Sequence, residues 1–422
     1  TKNRVLINNG IHPGESDGID ASMLLLRDIV QNDSLKKQYQ NTIISVIPVY
    51  NIGGSLNRNS HTRANQNGPT EYGFRGNTRN YDLNRDFVKQ DTKNAAAFAE
   101  IFHTLDPDIF IDNHVSNGAD YQYAITHLFT QHNKVGGALG DFIETEMRPG
   151  LEQSMLQKKI PITPYVNVWG GTPKQGWSQF YDSPRYSTGY TTLFNTFGMM
   201  VETHMLKPYK IRVEQTYELL LSMLDFAEDR SEDIKTIRKN AIDEILKKKT
   251  YPIAFEIHHQ KEPSIIQFRG YEGKIIDSKV TNGKRLTYDT SKPYSEPVNY
   301  YNEFRPTKET TIPKAYILRQ GWRRVIERLN NNQISYTQFK KDTTLVVETL
   351  HVDNYKTRTS AYEGHYLHYN TSIKILDSIL KDTITLFRTK ARVIDNLAYV
   401  KWLAKTNENV LPDLEKALSH WV

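Results

Sequence analysis

The sequence contains no cysteine, which excludes disulfide bonds, thiolate metal ligands and a cysteine nucleophile. Any metal ion in this protein must therefore be held by imidazole and carboxylate groups. Long apolar runs are also missing, because the richest local stretch, residues 21–26, is far shorter than the roughly 18 residues of a membrane-spanning helix. No membrane span is expected.

The chain also lacks a strong excess of charge. Its 54 Lys and Arg residues against 48 Asp and Glu residues leave a net charge of +6 over 422 residues, and no basic arm concentrates that charge. Nucleic acid is therefore not an expected partner. With 38% hydrophobic and 11% aromatic residues, the chain has enough apolar surface for folded cores, and its length suggests two or three domains.

Residues 4–245 alternate short apolar runs with helical patterns, which is typical of a mixed or parallel sheet covered by helices. The pattern predicts an α/β fold with strands over residues 5–8, 43–49, 109–113 and 198–202 and helices over residues 22–30, 95–105 and 211–249. Two irregular segments, residues 51–81 and 160–190, are much longer than ordinary connections, and such loops are generally functional or mobile.

The pattern changes after residue 245. Residues 246–345 are predicted to form a β-rich accessory region, in which Asn282 and Gly283 fit a two-residue hairpin turn. Residues 346–422 are predicted to be a C-terminal strand and helical region, either separate or part of the accessory domain. Within these two regions we expect helices over residues 317–330 and 371–421 and a strand over residues 344–352.

The most informative segment follows the first expected strand. His12 and Glu15 are three residues apart across a Pro-Gly turn, which lets an imidazole and a carboxylate converge on one cation. His114 follows a buried-strand pattern, and α/β proteins keep their sites at strand ends. Since two histidines, one glutamate and a water molecule make a catalytic zinc site, the sequence predicts one zinc ion per chain.

Four motifs occur along the chain: HPGE at residues 12–15, DLNRDF at 82–87, DNHVSNG at 112–118 and VETH at 201–204. In order and spacing they resemble the carboxypeptidase A-like zinc carboxypeptidases, and the β-rich extension is similar to that of larger bacterial members. The resemblance implies a mixed-sheet catalytic domain over residues 1–245. It also implies that strands which precede the first motif in the family are missing here. The chain starts at Thr1, so we expect a removed upstream segment and a secreted or periplasmic protein.

The resemblance implies a role for each motif residue. His12, Glu15 and His114 would bind zinc, and Asp82 would accept a hydrogen bond from His12 and fix its tautomer. Glu202 would be the general base that takes a proton from the attacking water.

The remaining roles concern the substrate. Asn84 and Arg85 would hold the C-terminal carboxylate of a peptide, which a guanidinium can bind with two hydrogen bonds. The arginine that stabilises the oxyanion is either Arg75 or Arg63. The tyrosine that covers the substrate would be one of three candidates, of which Tyr186 is chosen: Tyr181, Tyr186 and Tyr190.

These residues predict a zinc-dependent hydrolase that removes C-terminal residues from peptides. One alternative is a zinc acylase that acts on small N-acyl amino acids, although the long loops 51–81 and 160–190 favour peptides. The other is a non-catalytic binding protein on a peptidase scaffold. A binding protein would have no need of Glu202, which argues against that alternative.

Overall fold

The structure, a computed structural model, describes residues 2–341, 343–382 and 384–388. The strands are β1 (Asn3–Asn9), β2 (Thr42–Ile47), β3 (Ile109–Ser116), β4 (Ile125–Phe129), β5 (Thr163–Pro164), β6 (Trp177–Ser178), β7 (Phe197–His204), β8 (Thr250–Ile257), β9 (Ser264–Asp277), β10 (Lys284–Tyr301), β11 (Phe304–Thr311), β12 (Ala315–Arg319), β13 (Tyr336–Gln338), β14 (Thr343–Thr357), β15 (His368–Asp382) and β16 (Ile384–Arg388). The α-helices are α1 (Asp17–Gln31), α2 (Asp33–Gln38), α3 (Ile52–Leu56), α4 (Lys93–Leu105), α5 (His132–Val135), α6 (Gly137–Phe142), α7 (Arg148–Gln157), α8 (Ser187–Thr191), α9 (Tyr209–Asp229), α10 (Ser231–Ile245) and α11 (Arg323–Asn331).

The described residues divide into two compact units. The first contains the residues up to 87, residues 105–242 and residues 254–307. The second contains residues 88–104 and 243–253 and the described residues from 308 onward. No helix within the described ranges is long and apolar enough to cross a membrane.

The first unit is built on a six-stranded sheet with the order β2-β1-β3-β7-β4-β5. Strands β2, β1, β3 and β7 run parallel and β4 runs antiparallel to β7, so the sheet is mixed as predicted. Side chains alternate between the two faces of a strand. Val5, Ile111 and Val201 therefore share one face, where they pack with α1, α7 and α9 in a single apolar core. The predicted α/β fold is confirmed.

The long β9–β10 hairpin also belongs to the first unit. Strands β9 and β10 pair antiparallel, and the end of β10 also pairs with β6, which lies before β7 in the chain. Phe268 and Tyr300 of the hairpin are buried against Tyr121, Tyr123 and Trp177. The predicted β-rich region is therefore present, and part of it packs on the same body as the central sheet.

The second unit contains a three-stranded sheet with the order β12-β16-β13 and a separate β14–β15 hairpin. Helix α11 lies in this unit, where Arg328 donates hydrogen bonds to the carbonyl oxygens of Lys89 (3.1 Å) and Gln90 (2.9 Å). Strands β8 and β11 form a further pair.

Two expected elements differ in detail. The helix expected over residues 211–249 is two helices, because Arg230 leaves the helical conformation between α9 and α10. The two-residue turn at Asn282 and Gly283 is wrong: Asp277 pairs with Lys284, which leaves a connection of residues 278–283, and in that turn only Asn282 has a positive φ (54°).

Two predictions of helix were wrong because strand pairing decided the conformation. Ile317 and Leu318 lie in β12, where they pair with β16, and the helix begins only at Arg323. Residues 371–382 belong to β15, whose Ile373 and Ile375 pair with β14. β-Branched residues favour strands when a partner strand is available. Residues 384–388 also form a strand, and the rest of the predicted C-terminal helix, residues 389–421, lies outside the described residues.

Candidate active site

The predicted site residues come together at the carboxyl ends of three adjacent parallel strands. The segment with His12 and Glu15 follows β1, His114 lies near the end of β3, and Glu202 lies near the end of β7. His114 and Glu202 are direct cross-strand partners. Ligand sites in α/β sheets form where parallel strands end, and the register explains why these distant residues meet.

His12, Glu15 and His114 form a compact buried group whose candidate ligand atoms all lie within 4.8 Å of one another. The Nδ1 atom of His12 lies 3.1 Å from Glu15 Oε1, and the Nδ1 atom of His114 lies 2.9 Å from Glu15 Oε2. Ligand atoms of a tetrahedral zinc site are separated by about 3.4 Å, since Zn–N and Zn–O bonds are about 2.0–2.2 Å. The group therefore fits a zinc ion in chemistry and in size.

A carboxylate fixes the far nitrogen of each imidazole. His12 Nε2 bonds to Asp82 Oδ1 at 2.9 Å, as predicted, and His114 Nε2 bonds to Asp112 Oδ2 at 3.0 Å. Such carboxylate contacts hold a ligand histidine in one tautomer and leave the other nitrogen for a metal. Burial by itself lowers the pKa of His114, but Asp112 and Glu15 outweigh it and raise that pKa well above its usual value. Protons and a metal ion therefore compete for this residue.

Sequence analysis missed the role of Asp112. Its carboxylate is fully buried and accepts hydrogen bonds from Asn8 Nδ2 (3.0 Å) and from the hydroxyl of Ser187. The signal was available, because Asp112 is two residues before His114 in a strand and so lies on the same face. No local pattern marks Ser187, which is 75 residues from its partner.

Arg63 contacts the candidate metal-binding group, which consists of His12, Glu15 and His114. Its Nη1 donates to Glu15 Oε1 at 2.7 Å and its Nη2 donates to the Val115 carbonyl at 2.8 Å. A β-carbon at Gly14 would lie 2.7 Å from Arg63 Cδ, so glycine permits this close approach. Burial raises the pKa of Glu15, but His12 and Arg63 outweigh it and hold that pKa well below its usual value.

Arg75 lies beside the same group but is more exposed. Its Nη2 donates to Asp82 Oδ2 at 2.7 Å, and its Nη1 is 3.3 Å from His12 Nδ1. The Arg75 side chain is 47% exposed, against 14% for Arg63. Both candidate arginines therefore contact the metal-binding group, and they differ in how much of the guanidinium still faces solvent.

Asn84 and Arg85 lie in a short 3-10 turn, Leu83–Arg85, that Asp82 caps by accepting the Asn84 backbone N–H. Asn84 is buried, and its Oδ1 has no hydrogen-bond donor among the described residues. The Arg85 guanidinium lies 4.6 Å from the ring centroid of Tyr186. The predicted carboxylate-binding pair and Tyr186 are therefore neighbours.

The other two tyrosines have different surroundings. Tyr190 is buried, with ring contacts to Phe87 and Phe194, which is a core position. Tyr181 packs on Phe304 and lies near the Lys134 ammonium. Tyr186, by contrast, contacts the Arg85 guanidinium.

Glu202 is 8% exposed, and its Oε2 has no hydrogen-bond partner among the described residues. Burial raises its pKa to about 8; the His114 imidazole acts in the opposite direction, while Glu15 adds to the increase. Tyr165, which sequence analysis missed, is buried beside it, and burial together with the Glu202 charge raises the pKa of Tyr165 well above its usual value. A buried carboxyl with a pKa near neutrality and one unbonded oxygen is suited to proton transfer.

Comparison with protein families identifies the class to which this site belongs. The zinc carboxypeptidase family model matches residues 1–220 of the 422-residue chain, and that segment contains every site residue described above. The chain belongs to the zinc carboxypeptidase family. No curated protein sequence matched the chain.

Solved structures similar to this chain include several carboxypeptidases. A putative carboxypeptidase A from Shewanella denitrificans is 13% identical over 55% of this chain and 58% of its own, with a TM-score of 0.41. A metallo-carboxypeptidase from Pseudomonas aeruginosa is 10% identical over 56% of this chain and 58% of its own, with a TM-score of 0.42. The carboxypeptidase A from Helicoverpa armigera is 13% identical over 55% of this chain and 62% of its own, with a TM-score of 0.41. The chain thus spans little more than half the length of these structures.

Proposed function

We propose that the protein is a zinc-dependent carboxypeptidase that removes the C-terminal residue of a peptide. The observation that carries the proposal is the cross-strand pairing of His114 and Glu202, which sets a buried carboxyl with a free oxygen beside the three-residue metal-binding group. Membership of the zinc carboxypeptidase family supports the same activity.

One zinc ion per chain would be held by His12, Glu15 and His114. The donor set fits zinc because it combines two imidazoles and one ionised carboxylate, with both imidazoles braced by Asp82 and Asp112. A zinc ion bound by these residues would supply Lewis-acid chemistry, polarising the scissile carbonyl and lowering the pKa of water from 15.7 to about 7.

In this mechanism the protein's own groups move the proton and orient the substrate. Glu202 takes a proton from the attacking water and later gives it to the nitrogen of the leaving amino acid, so no covalent intermediate forms. Burial raises the pKa of Glu202 to about 8, and a bound cation would lower it, towards the range in which a carboxylate accepts a proton at neutral pH. Arg75, the more exposed of the two arginines, would stabilise the oxyanion while Arg63 holds Glu15 in place.

The C-terminal carboxylate of the substrate would bind at Asn84 and Arg85. An arginine beside an aromatic ring has a fixed guanidinium plane, and a carboxylate can accept two hydrogen bonds from it. Tyr186, which contacts Arg85, would cover the bound residue. The acylase alternative uses the same metal group, and the two activities differ in whether a peptide chain continues beyond the scissile bond.

The test is hydrolysis of one peptide in two forms, with a free C-terminal carboxylate and with a C-terminal amide. We expect bound zinc near one ion per chain and release of the C-terminal residue from the free acid, while the amide loses most of the turnover because Arg85 loses its anionic partner. Equal cleavage of both peptides would contradict the exopeptidase assignment. Absence of stoichiometric zinc from protein purified with added zinc would contradict the metal site.

A further inference from the structure

A cleft of about 790 Å³ opens beside the metal-binding group in the first unit. Arg63 and Arg75 form one part of its wall, and residues 117–118, Asp120 and residues 204–206 form another. The third part comes from the long hairpin, through residues 285–288 of β10. The cleft is therefore shared between the catalytic sheet and a hairpin about 80 residues further along the chain than Glu202.

The hairpin is held firmly against the sheet domain. The Tyr288 hydroxyl donates to the carbonyl of Gly171 at 2.8 Å, and the backbone N–H of Gln122 donates to the carbonyl of Arg269 at 3.1 Å. A β-carbon at Gly273 would lie 2.6 Å from a methyl carbon of Thr172, so the two segments pack at van der Waals distance. The hairpin wall of the cleft is thus a fixed surface, because the hairpin shares an aromatic core with residues 119–177.

Charge pairing leaves one cation in this wall uncompensated. The other charged side chains are paired at 2.7 Å, Arg63 with Glu15, Arg75 with Asp82 and Asp120 with Lys207. Arg285 has no hydrogen-bond or ion-pair partner for its side chain within the described part of the chain, and it is exposed to the cleft. Burial lowers the pKa of His204, also in the wall, to about 4, so this imidazole is neutral at pH 7.

The position of the cleft indicates which part of a peptide it would receive. Its wall includes Arg63 and Arg75, which contact the metal-binding group, but not Asn84 or Arg85, the proposed carboxylate site. If the terminal carboxylate binds at Arg85 and the scissile carbonyl lies at the metal, the chain before the scissile bond must leave by another route. The cleft offers such a route, because two of its wall residues, Arg63 and Arg75, contact the candidate metal-binding group.

We propose that Arg285 makes this cleft selective for peptides with an acidic side chain upstream of the scissile bond. This inference rests on the proposed function, because it assigns the substrate class of the same site. A carboxylate in the cleft would meet an arginine that has no competing anion, and it would meet no unpaired anion among the described wall residues. A lysine at the same substrate position would meet a like charge.

The test compares peptides that carry Glu, Gln or Lys in turn at the second, third and fourth positions from the C-terminus. We expect the wild-type protein to favour Glu over Gln by about fivefold in kcat/KM at one of these positions, the value of an ion pair worth about 1 kcal/mol. Arg285→Gln should remove that preference by raising KM for the Glu peptide with kcat unchanged, and Arg285→Glu should shift the preference to Lys.

Lys284→Gln is the matched control, because Lys284 is the neighbouring exposed cation, pairs with Asp277 at the hairpin end and is not part of the cleft wall. It should keep the preference for Glu. Equal cleavage of Glu, Gln and Lys peptides at all three positions, or an equal loss on all peptides in Arg285→Gln, would overturn the inference while leaving the carboxypeptidase proposal intact.

If no peptide is cleaved, the proposed function fails, and the charge preference is then decided by binding. Fluorescence titration of the same peptides, labelled at the N-terminus, onto wild type and Arg285→Gln supplies that readout. Tighter binding of the Glu peptide to wild type than to the variant, weakened by added salt, would support the selective cleft. Equal binding would reject it.

Discussion

The two sides of the candidate site differ in how completely their polar atoms are bonded. On the metal-binding side, both nitrogens of His12 and of His114 and both oxygens of Glu15 have hydrogen-bond partners. On the other side, Glu202 Oε2 and Asn84 Oδ1 are buried without a partner among the described residues. One side is complete in the folded chain, whereas the other leaves acceptors for groups that arrive later.

The bonded side is expected to be rigid, whereas the unbonded side is expected to be reactive. A buried polar atom that lacks a partner costs about 1–3 kcal/mol, so a ligand that supplied the missing bond to Glu202 or Asn84 would recover that cost. The bonded side fixes the metal-binding atoms through carboxylates such as Asp112. In the proposed mechanism, the unbonded side leaves Glu202 available to water and Asn84 available to the substrate. A variant that changes one side should therefore leave the other in place.

The largest effect is expected on the unbonded side. Glu202→Gln retains the shape of the side chain but cannot take a proton, so kcat should fall by about 10²- to 10⁴-fold. Zinc content and thermal unfolding should stay near wild type, because Glu202 Oε2 contributes no hydrogen bond to the fold. Discontinuous peptide-hydrolysis assays measure kcat, metal analysis measures the zinc content, and circular dichroism measures thermal unfolding.

Glu214→Gln is a suitable control for the Glu202 variant, since Glu214 is 58% exposed on α9 and pairs only with Lys210 at 3.7 Å in the described structure. It should leave kcat unchanged. If Glu202→Gln unfolds the protein, the carboxylate has a structural role; if turnover is unaffected, the proton-transfer mechanism is wrong even though the metal site can stand.

Variants of Arg63 and Arg75 test to which side of the candidate site each arginine belongs. Arg75→Ala should lower kcat by about 10²-fold, the value of an oxyanion contact. Arg63→Ala should act mainly on the metal-binding side, because Arg63 supports Glu15 and the Val115 carbonyl, and it should weaken zinc binding more than it lowers kcat at saturating zinc. If Arg63→Ala instead lowers kcat by about 10²-fold and Arg75→Ala does not, Arg63 is the residue that stabilises the oxyanion.

A smaller effect is expected from the carboxylates behind the ligands. Asp112→Asn should weaken zinc binding by about 10- to 100-fold, because His114 loses its charged hydrogen-bond partner. Ser187→Ala, which removes only one donor to Asp112, should weaken it much less. Competition with a fluorescent chelator gives both affinities. Unchanged affinity in Asp112→Asn would mean that His114 is held in place without this contact.

The sequence predicted the candidate metal-binding residues better than the hairpin wall of the cleft. Local patterns indicate the turn with His12 and Glu15 and the strand end at His114, and with them a common edge of the sheet, whereas Asp82 and Glu202 were identified through the resemblance to the zinc carboxypeptidases. The position of Arg285 depends on how residues 264–301 pack against residues 119–178, and no local pattern encodes that packing. The helix expected from residue 371 failed for the same reason, because the partner strand β14 determines the conformation of β15.

The smallest effect concerns two buried titratable groups of β7 that lie two residues apart. Burial favours the neutral form of both, yet Glu202 keeps an unbonded oxygen, whereas His204 donates from Nε2 to the Ala119 carbonyl at 2.8 Å and accepts the Leu206 N–H on Nδ1 at 3.2 Å. The pKa of His204 falls from 6.5 to about 4 in the folded protein, with burial as the main cause. Between these values the unfolded chain binds a proton that the folded protein excludes, so the stabilisation is complete above pH 6.5 and declines as the pH falls towards 4.

We expect His204 to lower the free energy of unfolding by up to about 2 kcal/mol between pH 7 and pH 5. Urea unfolding of wild type and His204→Asn at both pH values measures the difference, and the variant should lose less stability over that interval. An identical pH dependence in the two proteins would show that His204 takes up its proton in the folded state, and the contrast between a bonded, silent group and an unbonded, reactive one on β7 would then fail.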